Sequence, residues 1–106
     1  MFKVENIKTK DILDNQIIAS KKKTYIEAIE AFMDLQASKK KYDNRYTASS
    51  RAGIIDSPFQ EESKTFALWM DNCYLEAYKM LNSINIDTNI DKYISSSIKK
   101  LPKLIW

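Results

Sequence analysis

The chain has 106 residues, of which 44% are hydrophobic and 29% are charged, and its formal net charge is +3. This length gives room for a single domain with one core, and the balanced composition excludes an intrinsically disordered chain. One Gly and two Pro are too few for the turns of a β-sheet protein. The totals therefore predict a single all-α domain over 1–106, a small bundle of about three to four helices with one long central helix.

The N-terminal part predicts one clear helix after a segment without a clear pattern. Residues 1–20 are poorly defined, because they could open a short helix at Thr9 or dock in extended form. A helix is predicted over 24–42, where Thr24 is the N-cap and Glu27 completes a capping box. Its apolar residues fall on one stripe, which consists of Tyr25, Ile26, Ile29, Phe32, Met33 and Ala37.

The middle of the chain predicts a connector and then a long helix. In the connector, residues 43–56, one or two helical turns end at Gly53, which suits a left-handed backbone position. The long helix is predicted over 57–85, with Ser57 as N-cap and Pro58 in the first helical position. Its apolar series is Phe59, Phe66, Trp69, Met70, Cys73, Ala77, Met80, Leu81 and Ile84, and a second partial stripe is Leu68, Tyr74, Leu75 and Tyr78. A helix that is apolar on more than one side is either central to a bundle or shared with a partner.

The last helix is predicted over 88–101, with Thr88 as its cap and Pro102 as its stop. The tail at 103–106 contains three large apolar residues, each of which gains about 1.5–3 kcal/mol on full burial. We therefore expect the tail to fold back onto the domain or into a neighbour. A chain of this length buries only about 60–65% of its unfolded surface, so a homo-oligomer or a bound partner is expected to supplement its stability.

The residue types exclude most catalytic and metal chemistry. The chain has no His, the commonest general base and metal ligand, and its single cysteine cannot form an internal disulfide. Cys73 could be a nucleophile, but its place on the most apolar stripe favours a core residue. Glu61 and Glu62 could be an acid/base pair, but their place in the first turn of a helix favours capping. We therefore expect a protein that is not an enzyme, with no catalytic residue, no cofactor and no metal site.

The expected compartment is the cytoplasm of a bacterial host, and association with the virion is a second expected location. A lone cysteine is typical of a reducing compartment. No segment approaches the roughly 18 consecutive apolar residues that a membrane-spanning helix needs, so no membrane partner is expected. The N-terminus, from Met1 to Glu5, lacks the apolar core of a signal peptide.

The candidate binding residues mix Tyr and Arg, the types enriched at the centres of protein interfaces. Four lie on or beside the irregular connector, where binding residues are common, and the fifth lies in the tail: Tyr42, Arg45, Tyr46, Arg51 and Trp106. Lysine clusters at 21–23 and 39–41 lie at opposite ends of one predicted helix, about 27 Å apart. They form no continuous groove, so solubility and the helix dipole explain them better than phosphate contacts do.

From Tyr42 onward the order of features resembles a family of small phage and prophage proteins encoded beside tail-fibre genes. The corresponding segments are Tyr42-Asp43, the Ala-rich turn 47–53, the helix start 57–62, the segment 69–73 around Trp69 and Asp71, and the ending 101–106. This resemblance covers about two thirds of the chain. The chain departs from the family in the loop 82–89, where the family has Gly and Pro, and in residues 1–20, which have no counterpart.

The resemblance implies a non-enzymatic phage accessory protein that binds another protein in tail or tail-fibre structure or assembly, as a monomer or a homo-oligomer. A phage-encoded inhibitor that binds and blocks a host or anti-phage defence protein fits the size and residue types equally well. A nucleic-acid or nucleotide binder is a third hypothesis, which the balanced charge disfavours.

Overall fold

The computed structural model describes residues 2–106, with side chains from residue 9 onward. This part of the chain is all-α and contains four helices: α1 Phe2–Ser38, α2 Arg45–Ser49, α3 Gln60–Leu81 and α4 Ile90–Lys100. The predicted all-α bundle is confirmed. The longest helix, however, is α1 with 37 residues, whereas α3, which corresponds to the predicted helix 57–85, has 22.

Helix α1 joins two segments that the sequence pattern separates. The predicted start at Thr24 is wrong, because Thr24 lies exposed in the middle of α1. The extended alternative for residues 1–20 is also wrong for the described residues, which are helical from Phe2. No Gly or Pro occurs before Gly53, so nothing in the first half of the chain breaks a helix once it forms. At about 1.5 Å per residue, α1 is about 55 Å long.

The end of α1 places a lysine where glycine is usual. Lys41 has a φ of 71°, and the amide of Tyr42 after it donates to the carbonyl of Ala37 at 3.2 Å, which closes the helix in a Schellman arrangement. Among the described residues, Lys41 and Asp56 have positive φ and Gly53 does not. The predicted left-handed position at Gly53 is therefore wrong. The lysines at 39–41 follow the last residue of the helix instead of forming its last turn.

The starts of α3 and α4 lie later than predicted. The Ser57 hydroxyl accepts a hydrogen bond from the amide of Phe59 at 3.2 Å, which makes a turn, and the helix begins only at Gln60. At α4, the Asn89 side chain accepts from the amide of Lys92 at 3.2 Å and is the cap, so the prediction of Thr88 is wrong. In the connector, the predicted helical turn is confirmed as α2, which Asn44 caps.

The core lies where α1, α3 and α4 meet. Tyr25 of α1 packs on Tyr93 of α4, with ring centroids 5.5 Å apart, and Phe32 of α1 packs on Trp69 of α3 at 6.2 Å. The buried apolar residues are Tyr25, Ile29, Met33, Ala37, Ala48, Phe66, Trp69, Cys73, Ala77, Ile84 and Leu101. The two predicted main stripes therefore supply most of the core, to which α2 adds Ala48 and the end of α4 adds Leu101. Phe59, which was counted in the α3 stripe, is 45% exposed.

The tail folds back onto the bundle, as predicted. The indole nitrogen of Trp69 donates to the carbonyl of Pro102 at 2.7 Å, which fixes the chain as it leaves α4. Leu104 and Trp106 are half-buried against the core, whereas Ile105 is 83% exposed. In the described part of the chain, no helix combines the length and apolar character needed to cross a membrane.

Candidate protein-binding site

Arg45, one of the five candidates, is committed to contacts inside the molecule. It is the first residue of α2, and one nitrogen of its guanidinium, Nη1, donates to both oxygens of the Asp34 carboxylate of α1 at 2.9 and 3.0 Å. The same guanidinium reaches Glu30 at 3.0 Å, and the backbone amide of Arg45 also donates to Asp34 at 2.9 Å. Because its side chain is only 12% exposed and makes these contacts, Arg45 holds α1 and α2 together and offers little surface to a partner.

A tyrosine from α3 joins this ion cluster. The Tyr74 hydroxyl donates to Glu30 at 2.8 Å and accepts from Nε of Arg45 at 3.2 Å. Burial and the neighbouring Glu30 carboxylate raise the pKa of Tyr74 to about 12. The cluster therefore ties three helices together through one guanidinium.

Tyr46, the next candidate, lies on the surface of α2. Its side chain is 62% exposed, and the guanidinium of Arg45 lies 4.4 Å from its ring centroid and donates to its hydroxyl at 3.0 Å. Tyr46 is thus an exposed aromatic ring held in one orientation by a half-buried arginine, which suits an interface residue.

Tyr42 and Arg51 line one cleft of about 330 Å³, which we call the connector cleft. Its walls come from the end of α1, from α2 and the turn after it, and from the start of α3. The lining residues are Lys40, Lys41, Tyr42, Thr47, Ser50, Arg51, Phe59 and Glu62. This size lies at the low end of ligand pockets, which run from about 300 to 1,000 Å³.

The carboxylate of Glu62, which lines the cleft, is paired with two neighbouring side chains. The Tyr42 hydroxyl donates to one oxygen of Glu62, and the Lys40 ammonium lies 3.2 Å from the other. These two partners hold the pKa of Glu62 below its usual value, so Glu62 is ionised at neutral pH. Its charge is balanced by Lys40, which leaves the positive charges of Lys41 and Arg51 in excess.

The two excess cations also line the cleft. The Arg51 guanidinium lies 5.8 Å from the ring centroid of Phe59, and Arg51 and Lys41 are both exposed. Neither forms an ion pair with an acidic side chain of the described residues. A cleft lined by an aromatic ring and two such cations can receive a carboxylate or a phosphate together with an adjoining apolar group.

Trp106 supports the cleft from behind. Its ring stacks on Tyr42 with centroids 5.9 Å apart and packs on Phe66 at 5.1 Å, and the Lys40 ammonium lies 4.9 Å from its centroid. Trp106 therefore fixes the positions of Tyr42 and Lys40. Trp106 itself does not line the cleft, so a bound partner would contact the lining residues and not this ring.

Sequence reasoning missed several lining residues. Lys40 and Lys41 were assigned to the helix dipole, Glu62 to capping and Phe59 to the core. A signal was present, because the lysine run leads directly into Tyr42 and the connector. What the sequence could not show is that the start of α3 returns to the same place and brings Phe59 and Glu62 with it.

Comparison with known proteins gives no family for this chain: no family model, no curated protein and no solved structure matches it significantly. Among the described residues, no group of three or more His, Cys, Asp or Glu side chains is arranged to hold a metal ion. The connector cleft and the exposed ring of Tyr46 are therefore interpreted from their own geometry.

Proposed function

We propose that this chain is a non-enzymatic binding module whose connector cleft takes an acidic segment of another protein. The observation that carries the proposal is the cleft's excess of cations beside exposed aromatic surface. Arg51 presents a planar fork that matches a carboxylate, and Lys41 adds a second positive charge. Phe59 gives an apolar contact to the rest of the bound segment.

The size of the cleft favours a side chain or a short peptide segment over a large cofactor. A partner that places one Asp or Glu into the cleft would extend over the neighbouring surface of α2, where the Tyr46 ring is fixed and exposed. An aromatic residue and an arginine at the centre of a contact are the usual source of most binding energy.

The resemblance to phage tail-region proteins makes a tail or tail-fibre protein the first partner to test. On this proposal the chain acts in the cytoplasm of the infected bacterium during assembly. The same cleft would serve an inhibitor equally well, in which case the acidic segment belongs to a host or defence protein.

Nucleic acid is the second candidate ligand, because Lys41 and Arg51 could contact phosphates as well as carboxylates. Phosphate contacts release condensed counterions, so such binding falls steeply with added salt. An acidic peptide held partly by aromatic contact depends less on salt.

Capture of the tagged protein from phage-producing cells, with and without nuclease, tests the proposal. We expect a co-purifying protein with an acidic segment, retained after nuclease treatment. A tail or fibre protein indicates assembly, and one host protein in near-equal amount indicates an inhibitor. Recovery of nucleic acid alone, lost on nuclease treatment, would overturn the proposal.

A further inference from the structure

The N-terminal part of α1 extends beyond the bundle. From residue 9 to residue 20, every described side chain is exposed except those of Asp14 and Ile18, which are half-buried. The bundle begins at Lys21, whose ammonium donates to the carbonyls of Ile86 and Thr88 at 2.5 and 2.8 Å. Isolated helices of fewer than about 12–15 residues are marginal in water, so a helix left without tertiary packing gains from a partner.

An uncharged strip runs along the outer face of α1, nearly opposite the core stripe. It consists of Leu13, Ile17, Ser20, Thr24, Ala28, Ala31 and Leu35. The spacing repeats after 11 residues, because Leu13, Thr24 and Leu35 are evenly placed. Eleven residues in three turns is close to the natural period of an α-helix, so the strip stays on one side. Leu13, Ile17 and Leu35 are 53%, 44% and 57% exposed.

The strip can pack against the same strip of a second copy that runs in the opposite direction. About Thr24 as centre, Leu13 corresponds to Leu35, Ile17 to Ala31, and Ser20 to Ala28. In an antiparallel pair, large side chains at one position therefore meet small ones of the second copy, except at the outer Leu pair. The small residues at the centre allow the two helices to approach closely.

The charges beside the centre of the strip agree with this arrangement. Lys23 and Glu27 lie on the same edge of the strip, with side chains 78% and 62% exposed. In the antiparallel pair each Lys23 lies near Glu27 of the other copy, which gives two opposite-charge contacts about the two-fold axis. At the outer ends Lys10 approaches Lys39, but both side chains are exposed to solvent, where salt screens their repulsion.

We propose that a second copy of this chain docks antiparallel on the outer face of α1, with Thr24 at the two-fold axis. With Thr24 at the axis, residues 10–38 of the two helices overlap over about 43 Å, and contact over a width of about 10 Å covers about 430 Å² per copy. The total of about 860 Å² is in the range of weak, transient interfaces, so the dimer is reversible and forms only at high protein concentration. This proposal does not depend on the connector cleft.

Sedimentation over a range of protein concentrations tests the surface. We expect the natural chain to form a dimer and Ala31→Glu to weaken it at least tenfold, because it places a charge opposite Ile17 of the other copy. Ala19→Glu is the matched control, an exposed alanine on α1 outside the strip, and should leave the dimer unchanged. Circular dichroism of both variants verifies that they fold. A monomer at every concentration, or equal weakening by both variants, would overturn the proposal.

Mild oxidation of two cysteine variants tests the orientation. Thr24→Cys should give a disulfide-linked dimer, because position 24 faces itself across the two-fold axis, whereas Ser20→Cys should not. Cys73 can stay in both variants because it is fully buried. Cross-linking at both positions would indicate parallel helices, and cross-linking at neither position would exclude this contact; either result contradicts the proposal.

Discussion

Two arginines six positions apart have different roles in this molecule. Arg45 is half-buried against two carboxylates and a tyrosine, whereas Arg51 is exposed at the connector cleft. We expect Arg45→Ala to lower the free energy of unfolding by about 2–3 kcal/mol, because it leaves Glu30 and Asp34 close together without a cation. Arg51→Ala should change it by no more than about 0.5 kcal/mol.

Urea unfolding of both variants measures this difference. Arg45→Lys is a useful third variant, since it keeps the charge and loses the separate nitrogens that donate to Asp34, Glu30 and Tyr74. It should fall between the natural chain and Arg45→Ala. Equal stability of the alanine variants would contradict the distinction between a structural and an exposed arginine.

The raised pKa values of one thiol and one phenol predict how the free energy of unfolding depends on pH. Burial raises the pKa of the Cys73 thiol from 9.0 to about 12, and burial with the Glu30 carboxylate raises that of Tyr74 from 10.0 to about 12. The native state therefore keeps protons that the unfolded chain has lost. This part of the stability is complete below about pH 9 and is lost as the pH rises toward about 12.

The urea midpoint at about pH 8 and about pH 10.5 checks this expectation. The midpoint should fall at the higher pH, and Cys73→Ala should show a smaller fall because the thiol no longer contributes. The native thiol should also resist a thiol reagent at about pH 8 and react on unfolding. Rapid reaction of the folded protein would show that Cys73 is not buried.

At the level of elements, the left-handed backbone position that glycine usually takes is occupied by a lysine at the end of α1, while the glycine before α3 has an ordinary backbone. Lys41 has a left-handed backbone, while Gly53 does not, and a Cβ added at Gly53 meets nothing within 4 Å. We expect Lys41→Gly to raise stability by about 1 kcal/mol relative to Lys41→Ala, because glycine avoids the left-handed penalty. Gly53→Ala should be neutral or stabilising by about 0.4–1 kcal/mol.

Thermal unfolding of the three variants measures the contrast. Because both substitutions at position 41 remove the ammonium group, their difference reports the backbone alone. A Lys41→Gly variant less stable than Lys41→Ala, together with a destabilised Gly53→Ala, would mean that the left-handed residue is Gly53 after all.

Hydrophobic spacing predicted the helical stripes well, whereas the caps were predicted poorly. The stripes of α1 and α3 follow from periodicity, which many residues support together. A cap depends on one side chain, and neighbours compete for it: Ser57 forms a turn before Phe59, and Asn89 displaces Thr88. The capping signature at Thr24 predicts a helix start there, but α1 continues through Thr24 because no helix breaker interrupts it.

The candidate site was predicted in part for the same reason. The structure places Tyr42 and Arg51 in one cleft and leaves Tyr46 exposed, while the binding of a partner at these residues stays a prediction. The partners of Arg45 in α1 and α3 lie 11 to 29 positions away, so no local sequence pattern shows these contacts. Only the packing of α1, α2 and α3 decides which arginine is buried and which is free.

At the level of the whole molecule, the longest dimension of 68 Å reflects one helix that exceeds the bundle it belongs to. The bundle presents the connector cleft near the end of α1, and the outer face of α1 presents a separate uncharged strip. These surfaces suit different partners, an acidic segment at the cleft and a second copy along the helix. A dimer would carry two copies of the cleft, which strengthens binding to a partner with repeated segments.

The most direct test of the central claim is the affinity of the captured partner for two charge-reversal variants. Arg51→Glu changes the connector cleft, and Lys92→Glu makes the same change on an exposed position in the first turn of α4. We predict that Arg51→Glu weakens binding by about tenfold or more, which is about 1.4 kcal/mol, and that Lys92→Glu leaves it unchanged. Equal binding by the natural chain and Arg51→Glu would contradict the account, because the partner would then bind elsewhere on the molecule.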